Sequence, residues 1–99
     1  MFFITLFEHL PSKEKWFDNG DQYTIGYLDN YEDCKSVLQA NECDLHEGCY
    51  DYAVIEDISA GIYQYAKQRW FFKYDQDKDG YFNIDEPECF KHLCGFAMG

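Results

Sequence analysis

The chain has 99 residues, a formal net charge of −11, and 20% aromatic side chains. Its 19 acids against 8 bases exclude a direct grip on a nucleic-acid backbone, which needs clustered Lys and Arg. Nine Tyr, nine Phe and two Trp exclude a disordered chain, so residues 1–99 read as a single domain with a modest aromatic core.

In chain order, Phe2–His9 (FFITLFEH) is β-branched and aromatic and predicts a strand. Its apolar run breaks at Glu8 and lacks a basic start, so it does not read as a secretory leader. No stretch is long enough to span a membrane. Pro11, Asn19 and Gly20 mark a loop. Gln22–Leu28 (QYTIGYL) then predicts a second strand, paired with the first as a long-looped hairpin. The period changes at Asn30, a cap residue with Asp33 three positions on. Cys34, Val37 and Leu38 share one helical face, which predicts a helix over Tyr31–Ala40. Asp51–Ile58 (DYAVIEDI) predicts a third strand with a buried middle at Ala53–Ile55, and Gly61 breaks it. RWFFKY (Arg69–Tyr74) and YFNI (Tyr81–Ile84) predict strands four and five. EPECFKHLCGF, with Pro87 in its first turn, predicts a short C-terminal helix. The order ββαβββα predicts an α+β fold: a small single-layer antiparallel sheet of about five strands packed with one or two helices.

The stretch between Asp75 and Glu86, DQDKDGYFNIDE, supports two readings. Asp75, Asp77 and Asp79 stand at its first, third and fifth positions, and Gly80 at the sixth. Tyr81 offers a carbonyl at the seventh, Asn83 stands at the ninth, and Glu86 at the twelfth. Over all twelve positions the segment resembles an EF-hand loop, and that resemblance implies a calcium site of Asp75, Asp77, Asp79, Tyr81 and Glu86. The flanks favour a hairpin instead. RWFFKY is dense in β-favouring aromatics, and Pro87 pushes Glu86 away from the helical region. Asp77-Lys78-Asp79-Gly80 then predicts a type I turn with Gly80 in the left-handed region. Trp70, Phe72 and Tyr74 would share one face, opposite Phe82 and Ile84. On that reading the carboxylates are surface charge and no cofactor is expected; calcium is the alternative.

Five Cys, an odd number without a leader, predict free thiols in a reducing cytoplasm. Cys43, His46 and Cys49, and again Cys89, His92 and Cys94, carry zinc-ligand types at short spacing. Neither group is a standard CxxC knuckle, and the plainer reading makes Cys34, Cys89 and Cys94 small core residues. His46 and Cys49 could meet as a nucleophile pair, but nothing supplies an oxyanion hole, so no enzyme is expected.

From Asp29 to Asp57 nine acids (Asp29, Glu32, Asp33, Glu42, Asp44, Glu47, Asp51, Glu56, Asp57) face one base, Lys35. The plain reading of this belt is a solvated face. The functional reading takes Glu32, Asp33, Glu42, Asp44, Glu47 and Asp51 as candidate binding residues for a basic protein surface. In size and charge the chain loosely resembles the small acidic anti-defence proteins of phages and mobile elements, of the anti-CRISPR and anti-restriction type. That resemblance implies a non-enzymatic inhibitor or adaptor in the cytoplasm, mimicking nucleic-acid charge against a host defence or nucleic-acid-handling protein. It leaves a homodimer open. A reading from another class is a sponge that sequesters a small cyclic nucleotide. Tyr23, Tyr27, Tyr63 and Tyr65 would offer stacking faces, and Lys67, Arg69 and Lys73 form the one basic cluster in sequence.

Overall fold

The computed structural model describes residues 2–10, 22–42, 45, 50–58 and 66–87. Within them run β1 (Phe2–Phe7), β2 (Gln22–Leu28), α1 (Tyr31–Gln39), β3 (Tyr52–Ile58), β4 (Ala66–Asp75) and β5 (Gly80–Ile84). The strands form one five-stranded antiparallel sheet in the order β2-β1-β3-β4-β5, with one described helix, the expected α+β arrangement. The expected C-terminal helix lies outside the described residues, apart from Glu86 and Pro87.

Two strands flanking β1 and antiparallel to it must run parallel to each other, and joining them needs a crossover. Helix α1 supplies it between β2 and β3. Asn30 starts the helix as the sequence predicts. Its backbone is extended and its Oδ1 accepts from the Asp33 N–H at 2.8 Å. Its Nδ2 donates to Asp33 Oδ2 at 2.9 Å, so cap and first turn hold each other reciprocally. Cys34 and Leu38, four residues apart, are both fully buried against the sheet.

The register sorts the side chains into rows that cross the sheet. On the face under α1, Ile4, Ile55 and Trp70 form one row, and Leu6, Ala53 and Phe72 another. With Cys34, Leu38 and Tyr81 they make the main core. Burying a large side chain of this kind contributes about 1.5–3 kcal/mol. Ala53, Val54 and Ile55 are consecutive and all fully buried, so the middle of β3 is covered on both faces. On the face away from α1, Phe7, Val54 and Phe71 form a second buried cluster.

Two irregularities shape the sheet. The β1–β2 register shifts between Ile4 and Thr5, where Ile4 pairs with Gly26 and Thr5 with Thr24. Ile25 is the extra residue of this bulge, and Gly26 follows at φ +153, a setting that residues with a Cβ rarely adopt. The second is the turn between β4 and β5. Asp75 pairs with Gly80, so the loop is the four residues Gln76–Asp79. Its left-handed residue is Asp79, at φ 51, and not Gly80 as the sequence predicts. The register changes with it. Phe72 pairs with Asn83 and Tyr74 with Tyr81, while Phe82 and Ile84 pair with Lys73 and Phe71 on the other face. A one-residue shift in pairing moves each side chain of a strand to the opposite face, which corrects the predicted partnership of Phe82 and Ile84 with Trp70, Phe72 and Tyr74.

Gly80 has a different reason for being glycine. A Cβ there would lie 2.8 Å from the Gln39 carbonyl carbon and closer still to its oxygen. The tip of the hairpin therefore sits directly on the last turn of α1.

Candidate functional site

The turn end of the sheet gathers charge on a fixed frame. Asp75 ends β4, Asp77 and Asp79 lie in the turn, and Asp51 precedes β3. Glu42 follows the end of α1, which rests on this turn. Glu42, Asp51, Asp77 and Asp79 are exposed, and Asp75 is half-buried. Asp79 Oδ1 accepts the Tyr74 hydroxyl at 2.6 Å and Asn41 Nδ2 at 3.2 Å. Asp75 Oδ1 accepts the Asp77 N–H at 3.0 Å. The Tyr74 N–H donates to Asp51 O at 2.8 Å, which ties the start of β3 to the hairpin. Asn41 and Asp79 are the two described non-glycine residues with positive φ, at 48° and 51°. Their side chains bond to each other, so each left-handed turn steadies the other.

Of the described residues of the candidate belt, only Glu42 and Asp51 reach this end. Glu32 and Asp33 are exposed in the first turn of α1, at the other end of the sheet beside Asp29. Asp85 and Glu86, past β5, lie toward that end too and are exposed. Asp44 and Glu47 lie outside the described residues. Glu56, counted in the belt by sequence, is fully buried between Phe3 and Arg69 in the register of the sheet. It is no part of an acidic surface, because its position in β3 turns it into the face away from α1. The belt is thus two acidic ends rather than one stripe.

The five residues implied by the EF-hand resemblance occupy a hairpin. Asp75, Asp77 and Asp79 cluster at the turn. Tyr81 is fully buried in β5, and its hydroxyl donates to the Tyr50 carbonyl. Glu86 stands beyond the far end of β5. Among the described residues, no three His, Cys, Asp or Glu side chains are placed to hold a metal together. The Cys/His groups at Cys43, His46 and Cys49, and at Cys89, His92 and Cys94, lie outside the described residues.

Cys34 is a core residue. Burial pushes its thiol above the ordinary 9.0, Asp33 adds to the rise, and a backbone hydrogen bond at Leu28 partly opposes it. Its Sγ donates to Phe2 O at 3.6 Å. A protonated thiol with no exposed surface is a poor nucleophile.

The basic cluster is rearranged. Arg69 is half-buried and its Nη1 is shut off from solvent. The Lys67 side chain lies outside the described residues. Lys73 is exposed and lines one cleft with Phe82 and with Lys78 from the turn. The row Phe7–Tyr52–Lys73–Phe82 could have revealed this pairing, but only with the correct register. Tyr23 and Tyr27 on β2 are exposed as expected, and Tyr63 and Tyr65 lie outside the described residues.

No helix among the described residues is long and apolar enough to cross a membrane. No family model, curated protein or solved structure matches this chain.

Proposed function

We propose that this protein is a non-catalytic inhibitor or adaptor that docks an acidic surface onto a basic protein. Its partner class is a host defence or nucleic-acid-handling protein whose nucleic-acid groove the carboxylates imitate. The observation that carries the reading is the turn end of the sheet. There Glu42, Asp51, Asp77 and Asp79 are exposed on backbone pinned by the Tyr74–Asp79–Asn41 bonds and by the seat of Gly80 on Gln39. Fixed charges lose less freedom on binding than charges on a loose loop, and they set register and on-rate against a basic patch.

The test is capture of a partner by the immobilised protein from an extract of its native cells. Complexes held by such charges release steeply as salt rises from about 50 to 500 mM, where the screening length falls several-fold. Retention that ignores salt rejects the reading. So does retention undiminished by the paired substitution Glu42→Lys with Asp77→Lys.

A further inference from the structure

The face of the β4–β5 hairpin turned away from α1 carries a shallow, widely open cleft of about 440 Å³. Phe82 and Ile84 give it an apolar lining; Lys73, Lys78, Asp75 and Gln76 give it a polar one. Tyr52, Lys73 and Phe82 are direct neighbours across three strands. Lys73 Nζ lies 5.8 Å from the Tyr52 ring centroid, and Lys78 Nζ 4.8 Å from that of Phe82. Among the described residues, each ammonium group therefore rests on an aromatic face and not in a carboxylate pair.

The charge balance of the cleft narrows what it can take. Two lysines against Asp75 leave one net positive charge in the lining itself, with Asp51 beside Lys73 in the adjoining hollow, on a chain that carries −11 overall. Asp75 Oδ1 is tied to the Asp77 N–H, so that carboxylate is partly engaged in the turn. A dianion would still meet the remaining carboxylate charge, whereas a monoanion matches the balance. The volume suits a small ligand of nucleotide size, and the aromatic lining suits a planar ring.

We propose that this cleft binds a planar aromatic monoanion of the nucleoside cyclic phosphate class. The base stacks over Phe82 and Ile84, and the singly charged phosphodiester spans the ammonium groups of Lys73 and Lys78. Lys78 leaves the ring face to reach the phosphate, a small adjustment for its flexible stem. The site borders the acidic docking end and shares Asp75 with it, but Glu42, Asp51, Asp77 and Asp79, which carry the docking reading, are not in its lining.

The experiment is titration calorimetry of the full chain with 3′,5′-cyclic AMP, 3′,5′-cyclic GMP, 5′-AMP, inorganic phosphate and benzoate. A cyclic nucleotide gives saturable heat and binds more tightly than 5′-AMP, which carries nearly two charges at neutral pH. Phosphate and benzoate bind far more weakly. Lys73→Ala and Lys78→Ala each weaken binding about tenfold, while Lys73→Arg keeps most of it. Both lysines are exposed, so these variants stay folded and lose at most the small cation–π contribution in thermal midpoint. The proposal falls if neither cyclic nucleotide gives heat at millimolar concentration. It falls equally if the alanine variants bind as the parent does, or if 5′-AMP or benzoate binds as tightly as the cyclic form.

Discussion

At the residue scale, Gly80 and Cys34 each carry a consequence for stability. Gly80→Ala adds one methyl group against the Gln39 carbonyl, a backbone group that cannot rotate away. Helix end and hairpin must then part, at a cost of about 1–3 kcal/mol, the range for overpacked sites. A denaturant titration of the variant measures it; an unchanged midpoint would mean that the two elements are not seated on each other. Cys34 makes a pH prediction with a definite sign. Its folded-state pKa is raised, so folding keeps the thiol protonated when the unfolded chain would release the proton. This contribution is fully present below the ordinary value of 9.0 and is lost as pH climbs above it toward the folded-state pKa. Thermal midpoints of the parent should therefore fall more steeply above that pH than those of Cys34→Ala. Alkylation mapped by mass spectrometry should leave Cys34 unmodified in the native state.

At the element scale, what sequence could reveal follows the range of the forces involved. The start of α1 was legible because Asn30 and Asp33 act within one turn, and β3 because a run of Ala53, Val54 and Ile55 buries itself whatever its neighbours. Asn30→Ala removes the acceptor for the Asp33 N–H and should cost about 1 kcal/mol, read by chemical denaturation. Substitution to Asp should cost less, since its carboxylate can still accept that bond. The β4–β5 hairpin was legible as a hairpin but not in its register. The letters Asp77-Lys78-Asp79-Gly80 favour a turn one step later than the one adopted. Local preference there yields to two contacts distant in sequence: Gly80 on Gln39, and Asn41 on Asp79. The same slip hid the cleft, because Lys73 and Phe82 meet only in the observed register. Glu56 was illegible for a similar reason: a carboxylate in an acidic stretch reads as surface until the sheet places it opposite Arg69.

At the scale of the whole molecule, the two acidic ends differ in how firmly they are held. The turn end is tied to α1 and β3, whereas Glu32 projects from an exposed first helical turn. Docking should therefore depend on one end more than on the other. Charge reversal by Glu42→Lys with Asp77→Lys should abolish salt-sensitive capture, and Asp29→Lys with Glu32→Lys should leave most of it. The opposite ranking would move the docking surface to the start of α1. High net charge also makes copies of the chain repel one another, over a range of about 8 Å at physiological salt. At close range another guard operates on β2, the outermost described strand on its side, whose seven residues carry no charge and no proline. Such a ribbon invites an incoming chain to zip along it and, repeated, to grow a fibre. The extra residue Ile25 and the inverted backbone at Gly26 put the strand out of step halfway along. A visiting chain aligned with the first half is misaligned with the second, so templated growth along this strand stalls on backbone shape.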